Sequence, residues 1–165
     1  MKKFIFVIIS LLTLSFAEVV EVRNIQENST NNLKMVMDLS TGDIEVFENK
    51  LLKSIPAHYE MFSSQIKSLK VVVVVSGDAY KFFTKELSHS PYKNDTTLRL
   101  MQENLERRLK SLVDLYNVKF ELCGLGLEKR EISKNAMYNF AEVVYSSTSA
   151  LIEWQNRGYA YIPVK

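Results

Sequence analysis

The chain has 165 residues, 47% of them hydrophobic and 24% charged, which suits one domain with a sizeable buried core. Taking Lys2 and Lys3 from the 21 basic residues leaves as many as the 19 acidic ones, so no electrostatic footprint for nucleic acid or an anionic membrane remains. The single cysteine, Cys123, excludes an internal disulfide and leaves the fold to its core.

Residues 1–17 have the pattern of a secretory signal peptide. Lys2 and Lys3 start it, an apolar run follows, and Ser15-Phe16-Ala17 forms a small-x-small cleavage site. The apolar run is shorter than the ~20 residues that a helical membrane span needs, so cleavage is expected to leave no membrane span. Because Cys123 is the only cysteine, cleavage at a lipid-modified cysteine is excluded. The mature chain is thus expected to start at Glu18 and to be periplasmic or secreted. Residues 18–32 end in the polar run ENSTNN, which has nothing apolar to bury and predicts a flexible lead-in to a domain over 33–165.

Residues 33–39 predict the first strand. Ser40 and Asp43 then match a capping box. Phe47, Leu51, Ile55, Tyr59, Phe62 and Ile66 recur at helical spacing as one buried face, with Pro56 expected to kink or split the helix. Next comes KVVVVVSGD at 70–78. Five consecutive valines cannot form one dry and one wet face, because strand side chains alternate, so both faces of this strand must be covered. Gly77 permits the sharp turn that ends it, and Asp78 is expected to cap a short helix over 79–87.

A loop over 88–97 follows, carrying Pro91 and a solvated His89. Residues 98–116 give the clearest helix, with Leu98, Met101, Leu105, Leu109, Leu112 and Tyr116 on one side and Glu103/Arg107 and Glu106/Lys110 as i,i+4 pairs. Asn117 is its stop signal, and a strand over 118–122 delivers Cys123 at its carboxyl end. A further helix is expected within 128–138 and a strand over 141–145. Hydroxyl residues 146–149 then cap a helix over 150–157, and a last strand over 159–162 is stopped by Pro163. The alternation predicts an α/β fold, a three-layer α/β/α sandwich with about five mostly parallel strands.

Ligands in such sheets gather at the carboxyl ends of strands. The candidates there are Ser76, Gly77, Asp78, Cys123, Gly124, Ser146 and Ser147. Cys123 is the only strong nucleophile among them, and reaction near neutral pH requires a lowered thiol pKa, for which Lys129 and Arg130 are at hand in sequence. The alternative is a buried thiol acting as a small hydrophobe. Gly124-Leu-Gly126 fails as a dinucleotide fingerprint, since the third small position falls at Lys129. No metal-ligand spacing is present, and neither a metal nor a cofactor is expected.

Three stretches resemble the DsrE/DsrF-like family: VVVVVSGDAYKFF at 71–83, VKFELCGLGLEKREI at 118–132 and LIEWQNRGYAYIP at 151–163. The resemblance implies the family fold over 33–163. It also implies that Cys123, which matches the cysteine that accepts sulfur as a persulfide in relay members, is the sulfur acceptor. Arg130 matches a basic position and is implied as an anion stabiliser. A sulfur donor or acceptor protein or a small thiol is the implied partner, and a trimer or hexamer the implied assembly. The export signal and the Gly-Asp-Ala and Gly-Tyr-Ala-Tyr stretches are closer to stand-alone members. That similarity leaves open a non-catalytic exported oligomer or a small-ligand-binding protein that retains only the fold.

Overall fold

The computed structural model describes residues 31–165, and the expected signal peptide lies outside them. Asn32–Lys165 form one compact unit. Five strands build its sheet: β1 (Asn32–Leu39), β2 (Ser68–Val75), β3 (Lys119–Cys123), β4 (Ala141–Val144) and β5 (Ala160–Val164). Their order is β4-β3-β2-β1-β5, and every pairing is parallel, where the sequence indicated mostly parallel ones. The valine run is the inner strand its composition demands. Val71, Val73 and Val75 enter the larger core, while Val72 and Val74 enter a smaller one with Val36 and Ala150. Full burial of each is worth roughly 1.5–3 kcal/mol against leaving it in water.

Helices cover both faces. On the larger core lie α1 (Ile44–Phe47), α2 (Ser54–Ser63) and α3 (Thr96–Tyr116). Asp43 alone caps α1, its Oδ1 accepting from the Glu45 and Val46 amides at 2.8 and 3.0 Å, so the expected capping role of Ser40 is not realised. A π-helical turn, Glu48–Leu52, then separates α1 from α2. The break therefore precedes Pro56, which sits in the first turn of α2, where its missing N–H costs nothing. Phe47, Leu51 and Ile55 are buried as predicted, but Ile66 is 88% exposed and adopts φ 59° beyond the helix end.

The expected helix over 79–87 is a 3-10 segment, Gly77–Phe83, and Asp78 does not cap it. Its Phe82 stacks on Phe47 with ring centroids 4.2 Å apart. In α3, Leu98, Leu105, Leu109 and Leu112 are buried, and Asn117 ends the helix in the left-handed region at φ 51°. Lys110 pairs with Asp114 at 2.7 Å instead of with Glu106.

The helix α4 (Gly124–Lys129) starts directly after Cys123, earlier than the sequence indicated, because Leu127 anchors it in the core. Only a 3-10 turn, Lys134–Ala136, lies in the later segment. The smaller core is covered by α5 (Ser147–Asn156), whose Trp154 donates to the buried Glu121 carboxylate at 2.8 Å. Lys119 pairs with the other Glu121 oxygen at 2.9 Å, so the buried charge is neutralised and hydrogen-bonded. Pro163 does not stop β5 but lies inside it. Among the described residues the strand pairs with β1 alone, and an outer strand tolerates a residue without an N–H.

Candidate functional site

Parallel pairing places the ends of β1, β2, β3 and β4 along one edge of the sheet. These ends are tied to one another. Gly77, at φ 59°, brings the chain over the end of β1, where a Cβ at that position would lie 2.9 Å from the Ser40 carbonyl oxygen. The same carbonyl accepts the Asp78 amide at 3.1 Å, and the Leu125 amide of α4 reaches the Tyr145 carbonyl beyond β4 at 3.1 Å.

Cys123 is the last residue of β3, and it is 6% exposed. Burial by itself raises a thiol pKa. Here hydrogen bonding outweighs burial: the backbone N–H groups of Ser147 and Gly126 and the side chains of Ser147 and Tyr80 favour the thiolate, and the pKa ends below its ordinary value. The donors come from three elements. Ser147 is the first residue of α5, Gly126 lies in α4, and Tyr80 lies in the 3-10 segment after β2. The thiol is buried as a small hydrophobe would be, yet its surroundings are polar.

Arg130 lies beside two residues of the turn after β2. Its guanidinium lies 5.6 Å from the Tyr80 ring centroid and 3.3 Å from the Asp78 carboxylate, so its contacts are with Tyr80 and Asp78. Lys129 is exposed at the end of α4. Hydrogen-bond donors are the groups that favour the thiolate most.

Of the other candidates, Ser147 and the α4 backbone that Gly124 opens adjoin the sulfur. Gly124 packs against β4, where a Cβ would lie 2.8 Å from the Val144 carbonyl oxygen. Ser146 caps α5, its Oγ accepting from the Ser149 amide at 3.1 Å. Ser76 and Gly77 shape the turn after β2, and Asp78 is exposed beside Arg130.

Tyr80 is the residue that sequence reasoning missed. It is fully buried, and its hydroxyl donates to the Cys123 carbonyl at 2.8 Å. Its proximity to Cys123 depends on the pairing of β2 with β3, which no local pattern discloses. The nearest clue is its place two residues after Asp78 in the turn that follows the valine strand.

Two clefts lie elsewhere. One of about 440 Å³ opens beside α4 and β4, lined by Gly124, Leu125, Glu128, Val144 and Tyr145 among others. Another of about 650 Å³ lies at the opposite, amino-terminal edge of the sheet, with Lys67, Lys70, Lys119, Trp154 and Tyr159 in its walls. Cys123 lines neither.

Comparison with known proteins agrees with this architecture. The model of the DsrE/DsrF-like family matches residues 23–164. An uncharacterized protein of Aquifex aeolicus is 28% identical over 131 residues, covering 79% of this chain. The match spans 56% of that relative's length. Among solved structures, the protein of unknown function MTH1491 from Methanobacterium thermoautotrophicum superposes with a TM-score of 0.52 at 17% identity, covering 80% of this chain and 97% of that one. At that identity the likeness is one of fold.

Proposed function

Because this chain belongs to the DsrE/DsrF-like family, we propose that it handles sulfur through a persulfide on Cys123. The observation that carries the reading is the ring of donors around a buried thiol. Ser147, Gly126 and Tyr80 favour the anion strongly enough to overcome desolvation, and the thiolate is the species that attacks. Attack on the outer sulfur of a donor persulfide, R–S–SH, forms a new S–S bond at Cys123 and breaks the donor's S–S bond. The products are the Cys123 persulfide and the donor thiolate R–S⁻. No net oxidation takes place, and the step runs in reverse toward an acceptor thiolate.

Intact-mass measurement after incubation with a small persulfide donor tests this. The wild type gains one sulfur atom, and Cys123→Ser gains none while remaining folded. A wild type that resists both alkylation and sulfur uptake overturns the reading.

Burial of Cys123, at 6% exposure, favours a second reading: a small-ligand-binding protein or structural oligomer that retains the fold without the chemistry. Direct transfer from a bulky protein donor would require local opening, so a small donor is the better first reagent. Export after removal of residues 1–17 and assembly into a trimer or hexamer belong to the same proposal. The basic, apolar and small-residue order at the amino terminus supports export. Apolar side chains left in water, Tyr145 at 77% and Ile152 at 54% exposure among them, support assembly.

A further inference from the structure

We infer that Tyr80 is the positioning residue of the Cys123 sulfur: its buried hydroxyl fixes the end of β3 through the Cys123 carbonyl and serves as a donor to the sulfur, while Arg130 and Asp78 clamp the ring from outside. The biological meaning of this role rests on the sulfur reading above, whereas the contacts that support it stand apart from that reading.

The phenol is enclosed. Tyr80 has no exposed surface, its own carbonyl accepts from Thr84 Oγ1 at 2.9 Å, and its hydroxyl is 2.8 Å from the Cys123 carbonyl oxygen. Gly126 makes the approach possible. A Cβ there would lie 2.1 Å from the hydroxyl oxygen and 3.0 Å from Cζ, so a methyl group and the phenol exclude one another. The clamp then runs outward through Arg130, 5.6 Å over the ring, to Asp78 at 3.3 Å, whose amide is held by the Ser40 carbonyl at 3.1 Å. The ends of β2 and β3 are joined through this tyrosine, and the Asp78 amide ties the end of β1 to them.

The hydroxyl carries one proton, which the Cys123 carbonyl accepts at 2.8 Å, and the thiol of the same residue is close enough for each group to shift the other's titration. It can therefore pass from carbonyl to sulfur as charge develops there, without taking up charge itself. Burial, followed by the neighbouring cysteine, holds the phenol proton well above the ordinary tyrosine range, with Arg130 opposing. At neutral pH the group keeps its proton and can donate it in a hydrogen bond. The groups facing the sulfur are Tyr80 from the 3-10 segment, Gly126 from α4 and Ser147 from α5. Arg130 stands behind the phenol, with Asp78 and Tyr92 beyond it.

The test is the pH dependence of iodoacetamide alkylation in the full chain, where Cys123 is the only thiol. Tyr80→Phe keeps the ring and the Arg130 contact and removes the donor. Its alkylation midpoint is expected at higher pH, with a several-fold slower reaction near neutrality and an unchanged plateau in alkali. Fluorotyrosine inserted at position 80 keeps the shape and strengthens the donor, and it is expected to move the midpoint to lower pH. A folded protein of either kind with the wild-type profile overturns the inference. If Tyr80→Phe does not fold, the fluorotyrosine protein decides alone. A purely structural tie to the carbonyl would lower the unfolding temperature and leave the profile in place, which also overturns it. Sulfur uptake is measured in parallel: a wild type that takes up none while Tyr80→Phe still shifts the profile sinks the sulfur reading and supports the positioning role.

Discussion

At Cys123 the competition is between desolvation, which favours the neutral thiol, and the hydrogen bonds of Ser147, Gly126 and Tyr80, which favour the thiolate. The outcome has a sign that stability measurements can read. The folded thiol loses its proton at lower pH than the unfolded one does. Between those two points the unfolded chain binds more protons, so stability rises with pH across the window. The contribution is complete above the unfolded thiol's value, about 8.5, and is lost as pH falls through the folded value. Cys123→Ser lacks it. The difference in urea unfolding free energy between wild type and Cys123→Ser is therefore expected to grow in favour of the wild type as pH rises toward the unfolded thiol's value. A difference that shrinks over the same range contradicts the thiolate-stabilising ring. The cysteine and its strand-end position were legible in the sequence, as was Ser147 among the hydroxyl residues before the last helix. Its neighbour Tyr80 was not, because Tyr80 comes close to it only through strand pairing.

Among the elements, α3 illustrates what periodicity reads well. Its buried leucines recur at helical spacing, and the same helix leaves Leu100 88% exposed. Leu109→Ala, at a fully buried position, is expected to cost about 2–5 kcal/mol. Leu100→Ala is expected to change stability by no more than about 0.5 kcal/mol. Chemical denaturation of the two variants checks the contrast, and equal costs would mean that Leu100 is covered in solution. The valine run was equally legible, since alternation leaves a run of five apolar residues no wet face. Boundaries were less so. The π-helical turn before Pro56, the 3-10 form of Gly77–Phe83 and the early start of α4 all depend on side chains finding the core, a tertiary demand that local propensity does not encode. Pro163 misled for a related reason. A proline ends an inner strand but not an outer one, and which strand lies outside is a matter of topology.

For the whole molecule, the α/β class and the layering followed from the alternation of elements, and the strand order did not. Assembly and export are checked at this scale. Light scattering of the exported protein is expected to give the mass of a trimer or hexamer at micromolar concentration, and a monomer throughout would count against assembly. Amino-terminal sequencing is expected to begin at Glu18, and a start at Met1 would remove the export proposal.

The pairing of β1 with β5 also has a consequence for how the chain is made. Leu39 must wait for Val164 before its strand has both neighbours, so during vectorial synthesis β1 stands beside β2 alone until the chain from Val75 to Ala160 has emerged. Until then β1 offers unpaired backbone groups flanked by Val36, Met37 and Leu39, all buried in the finished sheet. A chain stopped after Gly158 keeps that state permanently. It is expected to retain most of its helices and to aggregate through the open side of β1. A truncated chain that stays soluble with the cooperative unfolding of the full-length protein would show that the last strand is dispensable.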